Sequence, residues 1–167
     1  MKEKIKTYPA KTLRVIGIDP GTATTGWAVV EKRQDRLFPL GFGFIQTAKE
    51  KTESERLLEI SLDLEKIIDK FQPQESATER IFLFKNQKTV IQIGQARGAI
   101  LLTLEKKNVK LWSYTPLQIK QAVTGYGRAE KKQVQFMVKK ILNLKSTPKP
   151  DDVADALAIA ICHLNNR

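Results

Sequence analysis

The chain's 167 residues are enough for one globular domain, and 41% apolar side chains with no Ser/Gly/Pro tract or internal repeat exclude both a disordered chain and a solenoid. A formal charge of +11, from 29 Lys and Arg against 18 Asp and Glu, makes nucleic acid the leading partner, because basic side chains that neutralise phosphates release counterions. The single Cys162 excludes an intrachain disulfide, and the longest apolar run, "VADALAIAIC", is interrupted by Asp155 and falls far short of the ~18 residues of a membrane span.

The basic opening "MKEKIKTYPAK" has no apolar core of a secretory signal, so 1–12 is expected to be a flexible basic extension and 13–165 the single folded domain of a soluble, cytoplasmic protein. Two β-branched runs, 13–19 and 26–32, flank a Pro-Gly turn and read as strands; a third runs over 37–46, with Gly41 and Gly43 marking a bend or bulge. Leu57, Ile60, Leu64, Ile67, Ile68 and Phe71 then recur at helical spacing until Pro73. "ESATERIF" suits a strand returning parallel to the first, with Glu79 near its end. A helix over 86–107, a strand at "VKLWSY", a helix capped by Thr115 with Pro116 at its first position, a helix over 128–142 and a last one over 151–163 complete the order βββαβαβααα. That order predicts an α/β architecture with a mixed five-stranded sheet and helices on both faces. Trp27, Trp112 and Cys162 are expected in the core, and His163 in a structural role. Tyr126, between two glycines, is a turn residue or a DNA contact.

The acids carry the chemistry. Asp152 and Asp155, three apart, share a face in the first turn of a helix, where the helix dipole alone would favour them. Asp19 ends a strand before Pro-Gly and could simply accept turn hydrogen bonds. Yet the carboxyl ends of parallel strands are where α/β sheets bind ligands, and Glu79 would end the neighbouring strand. With all four gathered at ~5 Å and an effective dielectric of about 20, each like-charged pair costs roughly 3 kcal/mol. Divalent cations remove the conflict, and oxygen donors without a His or Cys cluster favour Mg²⁺ or Mn²⁺ over Zn²⁺. Two such ions ~4 Å apart can activate a water and stabilise a departing 3′ oxygen, which with a basic surface points to a nuclease.

Taken in order, "GIDPGTATTGWAVV", "ATERIF" followed by "KNQKTVIQIGQARGAI", "QIKQAVTGYGRAEKKQVQFMV" and "DDVADALAIAICH" resemble the successive signatures of the RuvC family of Holliday-junction resolvases, over about residues 13–163. The resemblance implies an RNase H-like fold, a homodimer, and a Mg²⁺-dependent endodeoxyribonuclease that nicks two opposed strands of a four-way DNA junction symmetrically, leaving ligatable 5′-phosphate and 3′-hydroxyl ends. It places two metal ions on Asp19, Glu79, Asp152 and Asp155, with the adjacent Asp151 as a competing carboxylate. It further implies phosphate contacts by Lys120 and Lys131, stacking of Phe82 on an unpaired base, and cooperation with a branch-migration helicase complex of RuvA and RuvB. Phe84 is assigned to packing. The "GQARG" helix resembles the family's dimer-forming helix, so Gly94 and Gly98 serve either close contact between subunits or close packing within one.

Three rival readings differ in class. An actin-like ATPase or sugar kinase could use "GIDPGTATTG" to hold phosphates, but needs a second lobe and a second phosphate loop that 167 residues do not supply. A junction-binding module without catalysis would not need all four acids. An RNase H-like nuclease acting on RNA or on another branched DNA shares the site.

Overall fold

A computed structural model describes residues 12–80 and 87–167. Among these, β1 (Leu13–Asp19), β2 (Thr24–Arg33) and β3 (Arg36–Gln46) form an antiparallel meander, and β4 (Glu75–Glu79) and β5 (Lys110–Tyr114) extend it in parallel, giving the order β3-β2-β1-β4-β5. The central strand β1 is buried on both faces. In β1 the period of two sends Val15 into one core and Ile16 and Ile18 into the other, all fully buried. The register of β2 and β3 shifts between Val29 and Val30, so that Leu40 is the extra residue of a bulge beside Gly41.

Two helices, α1 (Glu53–Phe71) and α2 (Gln87–Lys106), cover one face, where Ile60, Leu64, Ala96, Ile100 and Leu104 meet Ile16, Ile18 and Val29. Thr52 and Glu55 cap the start of α1 reciprocally. On the other face lie α3 (Pro116–Thr124), α4 (Lys131–Ile141) and α5 (Asp151–Asn165). Thr115 and Gln118 form the capping box of α3, and Gly125 ends it in the left-handed conformation at φ 75°. The chain then turns through Ala129, whose N–H donates to the Tyr126 carbonyl, and Glu130 opens α4, so this helix begins three residues later than the expected 128.

The last helix is apolar all round because it is central: every residue from Val153 to Leu164 except Asp155 is buried. It sits unusually low. A Cβ on Gly17 would lie 2.2 Å from the Ala156 carbonyl oxygen, and one on Gly26 would lie 2.1 Å from that of Asp152. The absence of side chains on β1 and β2 thus sets the depth of α5 and fixes its first turn over the end of the sheet.

Cys162 is buried as expected, and burial pushes its thiol up to about 11. Both tryptophans are only partly buried: Trp27 packs against Phe71 at the margin of the core, and Trp112 departs further from expectation, with Lys110 and Arg167 over its ring at 5.0 and 4.8 Å. The reason is that β5 is an edge strand, where a large ring can serve cations as well as the core. No helix among the described residues is long and apolar enough to cross a membrane.

Candidate active site

Alternation along β1 and β4 puts Val15, Gly17 and Asp19, and Ala77 and Glu79, toward α5. Ile18 pairs with Thr78, so Asp19 and Glu79 end adjacent parallel strands on that one face. Gly26, opposite Asp19 on β2, lowers the first turn of α5 onto the same spot and brings Asp152 and Asp155 with it. The four acids converge on one end of the sheet, near enough for their charges to couple.

Their electrostatics record it. Burial, followed by the charges of Asp155, Asp152 and Glu79, raises the Asp19 carboxyl from 3.8 to about 7. Burial and Asp155 likewise raise Glu79, against the opposing pull of Lys120. Asp155 is raised by burial although Lys131 donates to its Oδ2 at 3.1 Å, so desolvation outweighs the ion pair here. Asp151, the competing carboxylate, faces outward: it accepts from Gln135 at 2.9 Å, lies 3.2 Å from the Lys131 ammonium, and is held below the usual range by Lys131 first and Gln135 second. The geometry favours Asp152 over Asp151 as the member of the cluster.

A cleft of about 220 Å³ lies beside the acids, lined by Glu79, Lys120, Lys131 and Asp155 over a floor of Ile119, Val134 and Ile159. Both predicted lysines therefore reach the cluster. Lys120 comes from α3 and Lys131 from the first residue of α4, so the capped turn between these helices sets their separation. The donor set fits a hard divalent cation in atom type and charge, and a bound cation would relieve the burial and mutual repulsion that make these carboxyls ionise reluctantly. Among the described residues no three such groups already stand at ligating distance from one point.

A family model described as crossover junction endodeoxyribonuclease RuvC matches residues 15–163. The chain belongs to the RuvC family. It is 52% identical over 153 residues to the RuvC of Petrotoga mobilis, covering 92% of this chain and 94% of that protein. Against the RuvC of Halothermothrix orenii it is 51% identical over 152 residues, covering 91% and 92%. Among solved structures it resembles T. thermophilus RuvC in complex with a Holliday junction substrate, at 34% identity and a TM-score of 0.88 over 92% of this chain and 94% of that one. The mixed sheet with helices on both faces is thus the RNase H-like fold expected of a RuvC-family chain.

Some of the site was not predicted. Arg97 of α2 donates to the Glu79 carbonyl at 3.1 Å and to Ser113 Oγ at 2.9 Å, tying the ends of β4 and β5 together behind the acid. Its signal in the sequence was a lone cation on an otherwise apolar helix face. The loop after Asp19 is clamped by Thr25, which donates to the Gly21 carbonyl at 2.7 Å, and by Thr47, which donates to that of Thr22 at 2.6 Å. His163 is structural as expected: fully buried, it lies 2.7 Å from both the Tyr114 hydroxyl and Glu75 Oε2 at the far end of α5. Tyr126 is exposed in its turn. Phe82 and Phe84 lie outside the described residues, as does all of the 1–12 extension except Thr12.

Proposed function

We propose that this chain is a structure-specific endodeoxyribonuclease that resolves four-way DNA junctions by paired, symmetric nicks and leaves 5′-phosphate and 3′-hydroxyl ends. The carrying observation is the convergence of Asp19, Glu79, Asp152 and Asp155 on one sheet end beside Lys120 and Lys131, with Asp19 raised to about 7 by burial and then by the charges of the other three acids. The family's RuvC relatives, one of them solved with a Holliday junction substrate, support junction DNA as the target. Asp19, Glu79, Asp152 and Asp155 would hold a pair of Mg²⁺ ions, or Mn²⁺ in their place. Bound there, the ions supply charge neutralisation at the phosphate and an activated water. The Lys120 and Lys131 ammonium groups would bind phosphate oxygens beside the carboxylates, and the apolar lining would exclude bulk water from the cleft. Arg97 would keep the Glu79 backbone from retreating under that load.

Two opposed nicks call for two sites related by a two-fold axis, and the reading includes a homodimer. Its support is an apolar surface on α1 and α2: Leu58, Leu62, Ile91, Leu101 and Leu102 are exposed, and a Cβ on Gly94 or Gly98 would meet nothing within 4 Å. Among the described residues, close packing within one subunit does not account for these glycines. Work in the cytoplasm alongside a RuvA and RuvB helicase complex belongs to the same reading. Synthetic four-way junction, plain duplex and RNA–DNA hybrid, each incubated with Mg²⁺ or EDTA, test it. Symmetric, ligatable cutting of the junction that EDTA abolishes is the expected result. Equal cutting of duplex or preference for the hybrid overturns it.

A further inference from the structure

The outer strand beside the site carries two partly exposed rings. Phe42 and Phe44 of β3 are 41% and 44% exposed, at positions where an edge strand ordinarily places polar or charged groups. Their direction is fixed by the register. Phe44 stands directly opposite Gly26 and Phe42 opposite Ala28, and paired residues of antiparallel strands project to the same face. That face is the α5 face, because a Cβ on Gly26 would strike the Asp152 carbonyl, whereas Gly43 and Gly41 between and beside the rings face Trp27 and Phe71 on the other side.

The rows across the sheet place the rings relative to the acids. Asp19, Gly26 and Phe44 form one row, and Gly17, Ala28 and Phe42 the next. With neighbouring strands about 4.8 Å apart, the Phe44 backbone stands roughly 10 Å from that of Asp19, past the first turn of α5. Because α5 is sunk onto β1 and β2, its flank covers β3 only in part, and beside the first turn of α5 the two rings keep more than a third of their surface open among the described residues.

We infer that Phe44, flanked by Phe42, is a stacking shelf for a nucleobase of the strand being cut, next to the scissile phosphate. This rests on the nuclease reading above and extends it. The occupant follows from position and charge: the shelf continues the carboxylate site, a +11 chain draws a polyanion to it, and aromatic faces accept any base. A second copy pairing along β3 is the competing occupant, but Pro39 lacks an N–H and the bulge at Leu40 interrupts the edge such pairing would use. Phe44 is thus a positioning residue: it holds the nucleotide whose phosphate the acids must reach.

The test uses the full chain, a four-way junction, and Phe44→Ser, Phe44→Trp and Phe38→Ser. Phe38 is 38% exposed on the same strand, and its ring lies 5.1 Å from the Arg33 guanidinium. Single-turnover cutting at saturating enzyme is expected to fall about 5- to 160-fold in Phe44→Ser, the range of one lost base stack, and to stay near wild type in Phe44→Trp and Phe38→Ser. In EDTA, tryptophan emission of Phe44→Trp is expected to be quenched by junction beyond any change shown by wild type. Wild-type cutting by Phe44→Ser, or no added quench in Phe44→Trp, overturns the shelf while leaving the resolvase reading intact. A wild-type protein that cuts no junction overturns the resolvase reading, and the Phe44→Trp quench then decides the shelf alone. A lower oligomeric state in Phe44→Ser than in wild type, measured without DNA, overturns it in favour of a second copy.

Discussion

Asp19→Asn is expected to stabilise the metal-free protein at neutral pH while ending its activity. The structure gives the size of the effect. Moving a partly buried carboxyl from 3.8 to about 7 corresponds to about 4 kcal/mol of disfavoured ionisation, a ceiling that relaxation of the neighbouring acids will lower. Because the folded value lies above the unfolded one, the favourable contribution of Asp19 is fully present below about 3.8 and is lost as the pH rises through about 7. Asn has no such proton. The difference in stability between variant and wild type should therefore be near zero at pH 4, widen between pH 4 and 7, and level off above. For a chain of this size 1 kcal/mol moves Tm by about 2–4 °C, so a realised 2 kcal/mol gives about 4–8 °C at pH 8. Thermal and urea unfolding in EDTA across pH 4–8 measures it, and added Mg²⁺ should close the gap by stabilising only the wild type. A difference independent of pH, or an Asn variant less stable than wild type at pH 8 in EDTA, refutes the reasoning.

Lys131→Ala should slow junction cutting about 10²-fold, yet shift urea stability by no more than about 0.5 kcal/mol, since its ion pairs with Asp151 and Asp155 are more than a third exposed. Gly26→Ala drives a methyl into the Asp152 carbonyl and should cost about 1–3 kcal/mol while lowering the single-turnover rate, as α5 is pushed from β2. His163, held below its ordinary 6.5 chiefly by burial, supports stability that is complete above about 6.5 and is lost as the pH falls through its lower folded value. His163→Gln, read by urea midpoints from pH 5 to 8, should therefore lose less stability on acidification than wild type.

Much of this molecule was legible in its residues because the patterns were strong. The period of two in β1, the 3.6-residue pattern of α1 and the Thr-Pro start of α3 each named an element that the fold contains. The boundaries were weaker where side chains, rather than periodicity, set them: β2 begins at Thr24 because Thr25 folds back onto Gly21, and α4 begins late because Glu130 caps it. Asp19 and Glu79 could be placed at strand ends from local sequence, and their convergence with Asp152 and Asp155 needed the long-range seating of α5 on Gly17 and Gly26. Arg97 was missed because its partner is a backbone carbonyl, which leaves no mark in the sequence of β4. The face that Phe42 and Phe44 occupy is set by the pairing register of β2 and β3, which local sequence does not carry.

The measurement that bears most directly on the account is anomalous diffraction from the protein crystallised with Mn²⁺ and an uncleavable four-way junction. The account predicts anomalous peaks between a junction phosphate and the carboxylates of Asp19, Glu79, Asp152 and Asp155. Metal bound elsewhere, or a junction seated with its phosphates away from these acids, contradicts it.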